Sequence, residues 1–262
     1  MTYTTKHEYT DEQMIRRVTD VLEIRNIMAK HAYYHSKGMH VQELAEIWVQ
    51  KPENQATASF GQNWGYNVGM KRIDAYYGQG SVENNKRDLE ALAAADPSIE
   101  VKPENYGMGS MVIHALTAPY VEVAVDGQTA QGLWYSPGAV GGVHPDGTAS
   151  GMLMYEKYGV DFIKEDGEWK IWHLFVGTDF AVPAGQDLTG DTVLEQERKI
   201  AAGEMEARPA PVIDDPDFIA MEAYTNKYNY SFYPPLPEAY YTFADCTSNG
   251  PEGNPNYKKE VK

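Results

Sequence analysis

The residue best placed for chemistry in this 262-residue chain is His114. It stands in Gly109-Ser-Met-Val-Ile-His-Ala-Leu-Thr-Ala-Pro119, where strand alternation puts Val112, His114 and Leu116 on one face. An imidazole between apolar neighbours is partly desolvated, and histidine is the side chain suited to moving protons near neutrality. General acid or base catalysis is one reading of it. A core histidine bonded to a backbone carbonyl is the other.

A second group lies in Ala32-Tyr-Tyr-His-Ser-Lys-Gly38, at a break between two helical stretches. Tyr33, Tyr34 and His35 offer two phenols and an imidazole. Lys37 could point into a cavity mouth, or it could simply be solvated at a helix C-terminus, where the dipole favours a cation. A third group is Trp169-Lys-Ile-Trp-His-Leu-Phe-Val-Gly-Thr-Asp-Phe180. Strict alternation puts Trp169, Ile171, His173, Phe175 and Asp179 on one face, so His173 is expected to line a cavity near His114 and Asp179 to orient an imidazole or a base. Trp64 and Arg72 complete the candidate substrate-binding residues.

Other chemistries lack their motifs. The chain has no Gly-x-Gly-x-x-Gly, no phosphate loop and no Gly-x-Ser-x-Gly. His31 and His35 have helical metal-ligand spacing, but His114, His144 and His173 are scattered, and no metal is expected. Cys246 is the only cysteine, which excludes an intramolecular disulfide. With 38 acidic against 22 basic side chains the formal charge is -16 and no basic block occurs, which argues against nucleic acid. No apolar run is long enough for a membrane span, and a cytoplasmic protein is expected.

These residues need a scaffold. Residues 11–50 read as helical with an interruption at Gly38, 68–77 as a short helix and 81–95 as a strong one that ends before Pro97. After Pro103 the period becomes two, over 108–118, 120–126, 128–136, 149–165 and 168–180, with turns at Asp126-Gly127 and Asp166-Gly167. Helices followed by a long-stranded antiparallel sheet imply an α+β fold. Residues 184–262 lack periodicity but carry many aromatics, including Phe218, Tyr224, Tyr233, Tyr240 and Phe243, and read as an extension that wraps the core or a neighbour.

The order of these segments resembles the SnoaL-like family of the NTF2-like superfamily. The likeness rests on Ile24-Arg-Asn-Ile27, Ala32-Tyr-Tyr34, Leu44-Ala-Glu-Ile-Trp48, Gly69-Met-Lys-Arg-Ile-Asp-Ala-Tyr-Tyr77, His114-Ala-Leu-Thr-Ala-Pro-Tyr-Val-Glu-Val123 and Asp166-Gly-Glu-Trp-Lys-Ile171, and it spans roughly 12–181. The resemblance implies an α+β cone, a curved antiparallel sheet packed against N-terminal helices. It divides the chain into a catalytic domain over 1–183, with an inserted helix near 81–95, and a C-terminal arm over 184–262. It also implies a cofactor-independent lyase that eliminates water or formaldehyde from a phenolic or other cyclic substrate, with His114 as base, and a homodimer or homotrimer. The family's usual carboxylate after the first helix is missing here, with Lys37 close to its position. Size and aromatic content are similar to the bacterial diarylpropane lyases, which act on lignin-derived dimers. In that chemistry Lys37, Tyr34, His114 and Arg72 would stabilise a phenolate and transfer protons. The alternative is a non-catalytic small-molecule-binding or scaffold protein of the same superfamily.

Overall fold

The computed structural model describes residues 9–185 and 233–256. Helix α1, Asp11–Ser36, begins where the sequence reading places it and is capped by Thr10. The Thr10 side chain accepts from the Gln13 backbone, and the Gln13 side chain answers the Thr10 N–H. Its buried residues, Asp20, Ile24, Met28, His31 and Tyr34, recur every three or four positions and form one inward stripe. The helix ends at Lys37, and Gly38 takes φ 68°, which turns the chain into α2, His40–Glu46. A parallel bridge from Trp48 to Ile171 then ties this corner to the sheet, and α3, Pro52–Thr57, opens on its proline.

Two short strands follow, β1 (Ser59–Gln62) and β2 (Gly65–Val68). Helix α4, Met70–Ile73, runs through one π turn, Asp74–Gly78, into α5, Gln79–Ala95. The two helices expected at 68–77 and 81–95 are therefore nearly continuous. The remaining strands are β3 (Ser110–His114), β4 (Tyr120–Val123), β5 (Thr129–Val143), β6 (Ala149–Glu165) and β7 (Glu168–Pro183). The period-two signal placed all five, but β5 extends through Pro137 and Gly138, where turn-forming residues hide a strand.

The seven strands form one sheet in the order β2-β1-β7-β6-β5-β3, with β4 also pairing β5. Only the β1–β7 pair is parallel. The helices cover one face, where Ile24, Met28, Leu44 and Trp48 meet Trp134, Tyr158, Val160, Phe162 and Leu174. Pairing irregularities interrupt the β6–β7 ladder near Tyr155/Glu156 and Asp161/Phe162. At the second, Trp172 is the extra residue, because Phe162 opposes Ile171 while Asp161 opposes His173. Ile171 and Leu174 therefore share the helix-covered face, and His173 and Phe175 turn to the opposite one. This corrects the strict alternation read from the sequence.

Residues 233–256 lie on that opposite face of their own chain. Tyr233 stacks edge-on against Phe175 and shares a 2.7 Å hydroxyl hydrogen bond with Tyr66. Gly159 makes the close approach possible, since a Cβ there would stand 2.3 Å from Asn249 and 2.5 Å from Pro234. For this stretch the structure shows packing against its own sheet, on the face opposite His114. Residues 186–232 of the expected arm lie outside the described residues. Among the described residues no helix is long and apolar enough to cross a membrane.

Candidate active site

His114 ends β3 and opposes Gly138 on β5. A Cβ at Gly138 would fall 2.8 Å from the His114 ring, so the glycine is what lets the imidazole lie across the inner face. Glu156 enters from β6, in phase with Tyr158, Val160 and Phe162. Its Oε2 lies 2.8 Å from His114 Nδ1, with both side chains buried. The two are close without the alignment of a hydrogen bond. Tyr158 donates to Glu156 Oε2 at 3.2 Å and Thr178 to Oε1 at 3.2 Å. These two donors hold the carboxylate in place against the imidazole.

A second imidazole–carboxylate pair comes from the helices. His31 Nδ1 on α1 lies 2.8 Å from Glu43 Oε1 on α2. Glu43 also accepts from Trp48 Nε1 at 3.1 Å and from the Tyr77 hydroxyl at 2.8 Å. Burial pushes the Glu43 carboxyl up, but His31, Trp48 and Tyr77 together outweigh it and hold the group below its ordinary value. Burial, reinforced by the Glu43 charge, raises the Tyr77 phenol well above its ordinary value. Tyr158 is raised in the same way, by burial and then by Glu156.

His35 and His40 occupy the space between the two pairs. His35 Nδ1 is 2.9 Å from His40 Nε2 and 3.2 Å from the Tyr77 hydroxyl. Its ring stacks on His31 at 5.9 Å and lies 5.0 Å from the His114 ring. Burial, with His31, His40 and His114 alongside, lowers His35 well below the ordinary imidazole value. Burial also lowers His40, against the opposing charge of Glu43. Two anchored imidazoles and two held neutral thus line one buried cluster, a composition suited to proton transfer. Among the described residues no group of three His, Cys, Asp or Glu side chains is arranged to hold a metal ion.

Of the residues singled out from sequence, His114, His35 and His31 meet in this cluster. The others do not join them. Lys37 is exposed at the end of α1. Tyr34 gives its hydroxyl to Glu46, and Tyr33, 57% exposed, shares with it an open groove beside Asn26 and Lys30. Trp64 is 41% exposed in the β1–β2 turn, and Arg72 is exposed on α4. Asp179 sits on the opposite sheet face, 3.2 Å from Lys157 Nζ, where burial raises its carboxyl against the pull of that lysine. The imidazole partner is instead Glu156.

His173 also belongs to the far face, where it serves a different network. Its Nδ1 is 2.8 Å from Asp161 Oδ2. Asp161 further accepts from Gln131, Ser248, and both the backbone and side chain of Asn249, at 2.7–3.0 Å. This buried carboxylate fastens residues 248–249 to the sheet.

Glu156, Glu43, His40, Tyr77 and Tyr158 were not anticipated. A signal for Glu156 existed: it is a lone carboxylate on the apolar parity of the 149–165 strand. His40 and Glu43 gave less, because both read as an ordinary polar helix start.

A sheet wrapped around a helix-covered interior that holds a histidine–carboxylate pair defines an α+β cone of the NTF2-like kind. The model of the SnoaL-like domain matches residues 16–174, and the chain belongs to that family. No curated protein sequence matches it. Among solved structures it is similar to a hexachlorocyclohexane dehydrochlorinase, LinA-type3, from Novosphingobium barchaimii LL02, with 16% identity and TM-score 0.44 over 67% of this chain and 97% of that one. A proposed scytalone dehydratase from Novosphingobium aromaticivorans DSM 12444 is 13% identical, with TM-score 0.44 over 66% and 99%. A proposed dehydratase of the NTF2-like family from Streptomyces avermitilis is 17% identical, with TM-score 0.43 over 61% and 96%.

Proposed function

We propose that the protein is a lyase that eliminates water, or a comparable leaving group, from a cyclic substrate by acid–base catalysis. The observation that carries this reading is the buried His114–Glu156 pair, 2.8 Å apart on the inner sheet face. With Nδ1 turned to the carboxylate, Nε2 is the nitrogen left to take a proton from substrate carbon. The electron pair of the broken C–H bond forms the new C=C bond as the leaving group departs with its own pair. Glu156 stabilises the imidazolium that forms, and the same proton is available to the departing oxygen.

Formaldehyde release from a lignin-derived diarylpropane is the finer reading suggested by size and aromatic content. It calls for a cation beside the phenolate oxygen, and Lys37, offered for that role, is exposed. Simple elimination therefore has the better support.

The test is a panel of cyclic β-hydroxy carbonyl compounds and phenolic diarylpropane diols, followed by absorbance of the new alkene and by formaldehyde assay. Turnover of at least one member is expected, reduced about 10²-fold or more in His114→Gln with unchanged circular dichroism. No turnover across the panel, or a folded His114→Gln that matches wild type, overturns the proposal. Ligand binding without turnover would point to the non-catalytic member of the superfamily instead.

A further inference from the structure

Part of the inner sheet face has no task in the elimination. Beyond His114 and Glu156, the same parity of β3, β5 and β6 continues toward the far end of the strands. Pairing sets three successive rows across them. His114, Gly138 and Met154 form the first, Val112, Val140 and Met152 the second, and Ser110, Gly142 and Ser150 the third. Val112, Val140, Met152 and Met154 are each half-buried, and none belongs to the core that the helices cover. Each row lies about 6.8 Å beyond the last, so an apolar strip starts at the imidazole and reaches the serines after about 13 Å. Glycine keeps it open. Among the described residues, a Cβ at Gly142 would meet only the Gly109 carbonyl oxygen, at an ordinary 3.6 Å.

Helix α5 runs alongside this strip. A Cβ at Gly38, the corner next to His40, would stand 3.1 Å from the Asn85 side chain, and one at Gly109, just before Ser110, 2.6 Å from Leu92 Cδ1. The seven residues from Asn85 to Leu92 rise about 10 Å, which matches the strip. The strong helix of the sequence thus forms the second wall of a crevice that opens at His114.

We propose that this crevice binds the body of the substrate: an uncharged apolar group the size of a second ring, fused or linked to the ring that reacts at His114. The assignment rests on the elimination reading for which end of the molecule reacts. The occupant is a small molecule because the strip is continuous with the base, Met154 sharing its row with His114 through Gly138. The lining sets the chemistry. Two valines and two methionines give no charge, so a carboxylate or ammonium on the body would lose its water without a partner. Unbranched thioethers adapt to the edge and face of a ring. A single ring at His114 leaves the second row bare, and a second ring covers it and buries further apolar surface. At the rim the lining turns polar. Ser150 Oγ lies 2.9 Å from His144 Nε2, and Ser110 is exposed across Gly142, so a hydroxyl at the outer end of the body finds partners there. Val112, Val140, Met152 and Met154 touch the part of the substrate that does not react, and they therefore determine specificity.

A binding arm tests this without turnover. Phenol and 4-phenylphenol serve as one-ring and two-ring probes of the protein labelled with 13C at its methionine methyls, with Met152 and Met154 assigned through their leucine variants. The two-ring probe is expected to bind about tenfold more tightly or better, and to shift both methyl signals. Gly142→Leu, which fills the strip, and Met152→Gln, which makes it polar, should each lower that preference about tenfold with circular dichroism unchanged. In turnover, the same two variants should raise KM for two-ring members of the panel above and leave kcat within about twofold. Equal affinity for the two probes, or preference for 4-phenylphenol with both methyl signals unmoved, overturns the crevice whatever the reaction is. A preference that survives in both folded variants overturns it as well. Full turnover in His114→Gln overturns the elimination reading instead, and the binding arm still decides the crevice.

Discussion

His114 on β3 and Glu156 on β6 meet across the intervening strand β5, Nδ1 to Oε2 at 2.8 Å. Ser136 and Gly138 lie between them on β5, opposite Glu156 and His114 respectively, and both are too small to keep the side chains apart. The carboxylate that orients the imidazole thus comes from the sheet. The family resemblance implies a carboxylate just after the first helix, and close to that position this chain has Lys37.

Replacing Glu156 should separate orientation from folding. Glu156→Gln keeps the size and one of the two acceptor oxygens that Tyr158 and Thr178 use, turns the other position into an NH2 donor to a hydroxyl oxygen, and removes the negative charge that stabilises a protonated His114. Turnover is expected to fall about 10²-fold, with thermal stability little changed. Steady-state kinetics beside a thermal melt check this. A Gln variant at full rate would remove Glu156 from the mechanism.

The neutral imidazoles make stability depend on pH. His35 and His40 both have folded values below the ordinary 6.5, so between the folded and unfolded values the unfolded chain binds more protons. Their contribution to stability is present above about pH 6.5 and is lost as pH falls, each by up to about 1.4 kcal/mol per pH unit. Glu43, also lowered when folded, contributes above its ordinary 4.5, and that contribution is lost as pH falls through its folded value. Melting temperatures at intervals from pH 7.5 to 5 should therefore decline in wild type. They should decline less steeply in the His35→Asn, His40→Asn double variant. Parallel curves would count against buried neutral rings.

Much of the architecture is legible in the sequence because periodicity and burial agree there. Ile24, Met28 and His31 on α1, and Tyr158, Val160 and Phe162 on β6, repeat at the spacings their elements require. The candidate site is less legible. Alternation along 168–180 assigns His173 and Asp179 to the cavity, but one extra residue at Trp172 reverses the parity, and a bulge leaves no mark in a strand apolar on both faces. His40, Glu43 and Tyr77 become neighbours only once α2 and the π turn pack together, a contact with no local sequence signature. His114 could be found because a polar residue on an apolar strand face is conspicuous alone.

Asp161 should control the docking of residues 248–249. It accepts hydrogen bonds from Gln131, Ser248 and Asn249 inside the protein and lies against His173. Asp161→Ala leaves those donors buried without an acceptor, at a cost of about 3–5 kcal/mol. The variant is expected to melt lower and to be clipped by dilute protease within 233–256 earlier than wild type. Ser248→Ala, which removes one donor, should cost about 1 kcal/mol. Equal protease resistance in Asp161→Ala and wild type would show that the segment is held by its aromatic contacts instead.

The uncovered part of the same sheet face bears on assembly. Beside residues 233–256, the outer parity of β3, β5 and β6 presents Met111, Ile113, Tyr135, Leu153 and Tyr155, each 45–54% exposed. Ile113 opposes Ala139 and Ala139 opposes Leu153, so the residues form adjoining rows and not scattered points. Contiguous apolar surface of this kind favours association. The homodimer or homotrimer expected from the sequence is proposed to form here. Light scattering coupled to size exclusion should give a native mass of two or three chains. An Ile113→Lys, Leu153→Lys double variant should shift it to one, because an interface cannot bury two new ammonium groups without partners. Both positions point away from the His114 cluster, so the single-chain form should keep its circular dichroism and its inner-face chemistry. A wild-type protein that already runs as one chain would rule out this use of the surface. A double variant with unchanged oligomeric mass would place the interface elsewhere.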